Sequence, residues 1–451
     1  MRRTAVFLFS TFFITSSALG QIANTYRAAA DRIIQASLAD SAAFQRLAEL
    51  VDTFGPRFSG TRNLEDAIDW ILAQMTTDDL ENVRGEKVMV PRWIRGRESL
   101  QLVHPFEREL SMIGLGGSVR TPRRGISAPV LVVSSFDDLA TKAEQTRGKI
   151  VVYNVPFTTY GETVRYRWAG ASEAARMGAV ASLVRSVTPH SLNNPHTGSM
   201  GYTDGVPRIP HAAVTVEDAL LLQRLQDRGA QVVVRLKMEA RFRPDVPSRN
   251  IVAEIVGREK PEEVVVMGGH IDSWDVGQGA MDDGGGCVAA WEAVRRLQQL
   301  GLRPRRTIRV VLWTNEEIGL RGGRAYRDAY QDQLPNHLLA LESDMGVFKP
   351  RGFGFSGSPE ALAILREVAS LLESIGADSV VEGGGGADIS PMMREGVPGM
   401  GLNVDENKYF WYHHTSADTI DKLDPRELNL CVAALAVMAY VVADMPESLP
   451  R

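Results

Sequence analysis

Apolar positions follow two rhythms along the chain. Over residues 22–36, 42–54 and 64–75 they recur every three to four positions, which predicts helices, with Asp40 and Ser41 as a cap between the first two. Gly55-Pro56-Arg57-Phe58-Ser59-Gly60 breaks that pattern and reads as a turn. Residues 82–97 alternate as a strand does. Short apolar runs at 128–134, 149–153, 179–187, 209–215 and 232–238 predict further strands, with helices at 169–176 and 216–226. The proline- and glycine-rich stretch 188–210 reads as surface loop, and 241–249, with Pro244 and Pro247, as a linker. Beyond Ser248 the rhythm becomes strand, helix, strand. Strands are expected at 250–256, 264–267, 307–313, 338–343, 352–356 and 400–404, and helices at 284–300, 322–329, 360–375 and 424–442. This alternation predicts an α/β fold, a mixed, largely parallel sheet sandwiched by helices. Residues 114–239 then form an inserted β/α domain, with 21–113 and 240–451 making the main domain around it.

Composition changes this picture little. At 451 residues, 44% hydrophobic and 23% charged, the chain is an ordinary globular protein of two or three domains. A net charge of -5 with no long basic run gives no electrostatic case for nucleic acid as a partner. Cys287 and Cys431 lie far apart in apolar helical settings and read as buried free thiols. Residues 1–20 read as a signal peptide: Met1-Arg2-Arg3 is basic, residues 5–14 are apolar, and Ala18-Leu19-Gly20 precedes a cut before Gln21. That apolar core is shorter than the roughly 20 residues a span needs. No later segment reads as a membrane span. An exported protein is expected, secreted, periplasmic or lysosomal.

The candidate chemistry gathers around VVVMGGHIDSWDVGQGAMDDGGG, residues 264–286. An apolar run, 264–267, is closed by Gly268 and Gly269. His270 and Asp272 follow at the strand exit, and a glycine-rich loop then delivers Asp282 and Asp283. Three more strand exits carry similar groups: Glu316-Glu317 after 307–313, Asp344 after 338–343, and His413-His414 beyond 400–404 and an aromatic loop. Sites in open α/β sheets form at the carboxyl ends of strands, so these residues can converge. Buried carboxylates are costly unless they are paired or bind metal. Either histidine of His413-His414, and either acid of Asp282-Asp283, could serve in such a cluster. Asp275 reads as a loop residue. The loop Gly383–Gly386 with Ala387 and Asp388 could wall a substrate pocket, and the aromatic run Tyr409–Tyr412 could flank it.

His-x-Asp, an Asp-Asp-Gly ten residues on, Glu-Glu, Asp and a late His-Thr together resemble the di-zinc exopeptidase family of aminopeptidases and glutamate carboxypeptidases. HIDSWDVGQGAMDDGGG, TNEEIGLRGG, LESDMGVFKPRGF, YFWYHHTSADT and GPRFSGTRNLEDAIDW are similar to its carboxypeptidase Q (plasma glutamate carboxypeptidase) branch. The likeness spans essentially the whole mature chain. It implies a zinc exopeptidase fold in which 114–239 is a protease-associated-type domain.

The resemblance also implies roles. One zinc falls to His270, Asp282 and Asp344, and a second to Glu317, His414 and the same Asp282; manganese or cobalt could substitute. His414 is preferred to His413 because His414, Thr415, Asp418 and Thr419 match the family's His-Thr-x-x-Asp-Thr. Asp282 is preferred to Asp283 and precedes a cis peptide. Metal-bound water is the expected nucleophile and Glu316 the general base. Asp272 is expected to accept the free ring N–H of His270. The implied enzyme is a homodimeric carboxypeptidase or dipeptidase acting on short peptides with free termini. An aminopeptidase and a metal-free receptor-like module on the same fold are its rivals. Phe58-Ser59-Gly60-Thr61 matches the branch but carries no evident chemistry beyond a turn.

Overall fold

The computed structural model describes residues 21–451, so the predicted signal peptide lies outside the described residues. Its main sheet has eight strands in the spatial order Glu81–Ile94, Arg241–Ile255, Arg306–Trp313, Lys260–His270, His337–Glu342, Gly399–Val404, Pro350–Ser356 and Ser379–Glu382. The four strands from Arg306–Trp313 to Gly399–Val404 run parallel, and antiparallel pairs flank them. Both faces are covered, as a parallel sheet requires. Val265 and Met267 pack into the larger core beneath helices Gly285–Gln299 and Pro425–Asp444, while Val264 and Val266 face Tyr326, Ile389 and Met392.

The structure departs from three expectations of the sequence pattern. Gly268 and Gly269 do not end their strand, which continues to His270. They are glycine because neighbours crowd them: a Cβ on Gly268 would stand 1.7 Å from the Val311 carbonyl oxygen. The supposed linker 241–249 is half of the strand Arg241–Ile255, with Val246 opposite Val90 and Pro247 opposite Met89. Its second neighbour pairs only from Ile251 onward, so the two prolines sit where one side of the ladder is free. Helix Pro425–Asp444 is long and apolar enough to cross a membrane, contrary to expectation, but 94% of its most apolar window is buried inside the protein. It is a core helix.

A second eight-stranded sheet runs in the order Arg108–Leu110, Glu98–His104, Val233–Met238, Ile126–Val133, Ile150–Tyr153, Ala181–Arg185, His211–Val214 and Met112–Gly114. It therefore begins at Glu98, ahead of the expected boundary at residue 114. The strand Glu98–His104 was hard to read because only Leu100 and Leu102 are buried in it. Helix Tyr160–Arg176 packs on this sheet and starts well before residue 169; Thr159 caps it by accepting from the Glu162 N–H. Thr-x-x-Glu is a capping-box spacing, the one sequence signal for that earlier start. Both cysteines are free and buried.

Candidate metal centre and active site

The strand exits converge. His270 Nε2 stands 3.2 Å from Asp282 Oδ1 and 3.2 Å from Asp344 Oδ1. His414 Nε2 stands 3.2 Å from Asp282 Oδ2 and 3.2 Å from Glu317 Oε2. Asp282 thus joins two clusters with one oxygen in each. Donor atoms around one tetrahedral zinc, each bonded at about 2.0–2.1 Å, stand about 3.3–3.4 Å apart. Among the described residues, two buried oxygens of the group, Asp282 Oδ2 and Glu317 Oε1, have no hydrogen-bond partner. Acidic oxygens and imidazole nitrogens gathered in this way, and left unsatisfied, fit metal ions and little else. His413 stacks on His414 at 3.5 Å between ring centroids, and its Nε2 lies 3.7 Å from Asp282 Oδ2. It is the more distant of the pair from the shared carboxylate.

The surroundings set these candidate ligands in place. The Asp282–Asp283 peptide bond is cis. Asp283 accepts from the backbone N–H groups of His270 and Gly286, both at 3.0 Å, and so ties strand end to helix start. Asp418 accepts three successive backbone N–H groups, from Ala280 and Met281 on Oδ1 and from Asp282 on Oδ2, at 2.7–3.2 Å. That loop is held from beneath by Arg57, fully buried, which donates to the carbonyls of Ile271, Gln278 and Gly279.

Asp272 works differently from expectation. The His270 ring donates from Nδ1 to the Asp272 backbone carbonyl at 2.8 Å, while the carboxylate lies 3.8 Å away. Asp272 Oδ1 instead accepts the Glu316 N–H at 3.0 Å, and Oδ2 accepts the Ser59 hydroxyl at 3.0 Å. Ser59 in turn accepts from Asn315 Nδ2. The Phe58–Thr61 turn is therefore more than a chain reversal, because Ser59 and Asp272 hold the loop that presents Glu316. Asp275 pairs with Arg95 away from the cluster, as a loop residue.

Burial, helped by the charges of Asp344, Asp272 and Asp282 and opposed by His270, pushes Glu316 up to about 8. Burial would raise Asp282 too, but the close approach of the His270 and His414 rings outweighs it and holds the carboxyl well below the usual carboxylate range. Asp418 is raised to about 7 by burial and by Asp282. Behind the loop wall, Glu342 accepts from the N–H groups of Asp388 and Ile389 and is raised to about 7 by burial and Asp344.

A cavity of about 260 Å³ opens over the cluster. Its lining includes Glu316, the candidate ligand groups, Tyr409 and Phe410 of the aromatic run, and, of the glycine-rich loop expected to wall it, Ala387 but neither Gly383–Gly386 nor Asp388. It also includes Tyr160, Arg167 and Ser199 of the inserted domain, a stretch that shows no cluster of acids or histidines in sequence. The supposed surface loop 188–210 turns its middle inward: Thr197 N–H donates to the His414 carbonyl at 3.0 Å, and His196 Nδ1 meets the His413 carbonyl at 2.8 Å. His414 is in the left-handed region (φ 62°), so this clamp holds a candidate ligand in a conformation its own backbone disfavours.

The model of Peptidase family M28 matches residues 250–439. Carboxypeptidase Q from Xenopus laevis is 51% identical over 431 residues, covering 95% of this chain and 92% of that protein. The crystal structure of a peptidase M28 precursor from Shewanella amazonensis superposes with a TM-score of 0.91 at 33% identity, over 95% of this chain and 99% of that one. A zinc aminopeptidase from Bacillus subtilis shares the fold, with a TM-score of 0.69 at 21% identity over 90% of this chain and 95% of that one.

Proposed function

The chain belongs to peptidase family M28, in the carboxypeptidase Q group, and on that premise we propose that it is an exported di-zinc exopeptidase hydrolysing dipeptides or short peptides with free termini. His270, Asp282 and Asp344 would hold one ion, and Asp282, Glu317 and His414 the other. The observation that carries this reading is the shared Asp282, each oxygen 3.2 Å from a different histidine nitrogen. When bound, zinc supplies Lewis acidity, activating water near neutral pH and polarising a carbonyl. Glu316 takes the proton of the attacking water and delivers it to the leaving amine. Burial raises its carboxyl above the ordinary carboxylate range, and cations beside it would favour the charged, proton-accepting form. Asp272 and Ser59 fix the loop from which Glu316 acts, and the Asp272 carbonyl orients the His270 ring.

Export follows from the predicted signal peptide, and a homodimer is proposed from the resemblance. Product analysis of zinc-loaded protein tests the function. N-blocked dipeptides should be cleaved and C-amidated ones spared, tripeptides should lose their C-terminal residue, and a chelator should abolish turnover. Release of N-terminal residues from C-amidated peptides would make the enzyme an aminopeptidase. Chelator-resistant turnover would remove the metal mechanism.

A further inference from the structure

A basic basin lies where the two domains join, away from the metal cluster. This cavity of about 610 Å³ is lined by Arg97, Arg120, Arg123, Lys237 and Arg241, against a single carboxylate, Glu239. Glu239 pairs with Arg97 at 3.0 Å, and among the described residues the other four cations form no ion pair. The whole chain carries a net charge of -5, so this excess of cations is local and opposite in sign. A concave surface lined by one sign of charge concentrates counter-ions. The frame beneath it is fixed by hydrogen bonds. Thr121 N–H donates to the Met238 carbonyl at 3.0 Å, and the Thr121 hydroxyl accepts the Met238 N–H at 3.1 Å. Gly125 N–H donates to the Pro122 carbonyl at 2.7 Å and closes a turn with Arg123 at its bend. The chain passes between the two sheets twice, at 95–97 and at 239–240. These crossings run side by side: Ile94 lies opposite Arg241 in the main sheet, and Glu98 opposite Met238 in the second. Glu239 N–H donates to the Arg97 carbonyl at 3.1 Å between them. Arg97 and Glu239 thus belong to the crossings and Arg241 to the main sheet, while Arg120, Arg123 and Lys237 come from the inserted domain.

We propose that this basin binds an anion bearing two or more phosphoryl groups, and that the bound anion braces the junction between the domains. A phosphoryl group turns its oxygens in several directions, so guanidinium forks arriving from different segments can share it. A carboxylate offers two oxygens in one plane and answers one fork. Each terminal phosphoryl group carries about 1.5–2 negative charges near pH 7, so two or more are needed to answer the four unpaired cations. A ligand held by Arg120 and Arg123 on one side and by Arg97 and Arg241 on the other ties the inserted domain to the main sheet. A free oligophosphate and a lipid headgroup both offer this chemistry. The site does not depend on the peptidase reading.

The test is calorimetric titration of the zinc-loaded chain with sodium triphosphate. Triphosphate also takes up zinc, so the result is read as a difference between proteins that share one metal site, each assayed for zinc before and after. Arg120→Gln/Arg123→Gln should weaken binding by about tenfold or more, since a hydrogen bond to a charged group accounts for about that factor. Both side chains are exposed and unpaired, so the variant should melt as wild type does. Arg62→Gln/Arg426→Gln, which removes two exposed cations elsewhere, should bind triphosphate as tightly as wild type. Triphosphate should also slow amide hydrogen exchange at 95–97 and 239–241 in wild type and not in the basin variant. Flotation with vesicles of cardiolipin in phosphatidylcholine decides the source. Vesicle binding that triphosphate competes away assigns a lipid headgroup, and triphosphate binding without vesicle binding assigns a soluble oligophosphate; either supports the site. Equal weakening in the two variant pairs, or none in the basin variant, would reduce the basin to general surface charge and overturn the proposal. Citrate bound as tightly as triphosphate would overturn the phosphoryl assignment, and unchanged exchange at the crossings would overturn the brace.

Discussion

Asp418 offers the sharpest test of how the shared ligand is held. Its carboxylate is fully buried and accepts the backbone N–H groups of Ala280, Met281 and Asp282. Asp418→Asn keeps the shape but replaces one acceptor oxygen by an NH2 group. With the amide oxygen turned to Ala280 and Met281, the NH2 confronts the Asp282 N–H, donor against donor. A buried donor left unpaired costs about 1–3 kcal/mol. The loss falls on the residue that offers one oxygen to each cluster, so it reaches metal affinity directly. Removing a group that supports a ligand typically weakens metal binding by about 10–100-fold. The assay is zinc retained after dialysis against graded chelator, with thermal melts of the metal-free proteins alongside. Asp418→Asn should lose zinc at about 10–100-fold lower chelator strength and melt lower than wild type. Zinc retention within about twofold of wild type, with the melt lowered as expected, would show that Asp418 supports the loop but not Asp282 and would refute the reasoning.

Further outcomes follow from the same geometry. Glu316→Gln should keep its zinc while kcat falls by about 10²–10⁴-fold at nearly constant KM; activity within tenfold of wild type would remove Glu316 as the base. Ser59→Ala leaves Asp272 Oδ2 and Asn315 Nδ2 without that hydroxyl, costing about 1–3 kcal/mol. It should lower the melting temperature and depress kcat more than it raises KM, and an unchanged kcat would detach Ser59 from Glu316 positioning. Burial holds His211 and His337 down to about 4, against 6.5 when free. Each is neutral when folded and free to charge when unfolded, so the unfolded chain binds more protons between pH 6.5 and 4 and stability falls as pH drops through that window. Each can contribute at most about 1.4 kcal/mol per pH unit there. His211→Gln should flatten the fall in melting temperature with acid, and a slope parallel to wild type would contradict this.

What the sequence made legible was whatever leaves a periodic or local trace. The continuous run Val264–Met267 has to be covered on both faces, and it is, with alternate residues in two cores. The acids and histidines at strand exits could be gathered by topology alone, because parallel strands bring their carboxyl ends to one edge. What stayed hidden depends on partners distant in the chain. Pro244 and Pro247 look like a linker until the neighbouring strand is known to pair on one side only. Ser59 is an unremarkable turn residue until Asp272 and Asn315 fold onto it. Asp272 looked like the partner of the His270 ring, but its backbone carbonyl reaches that nitrogen first. Arg167 was missed for a different reason. It stands alone on a helix of another domain, and a lone arginine carries no pattern.

Zinc stoichiometry tests most directly whether Asp282 joins two metal ions. Purified wild-type chain, zinc-saturated and then freed of excess metal, should carry two ions measured by mass spectrometry. Asp282→Ala, which removes one oxygen from each cluster, should carry none, while Asp344→Ala and Glu317→Ala should each lose affinity for one ion. A single zinc in the wild-type chain, or full retention of one in Asp282→Ala, would contradict the account.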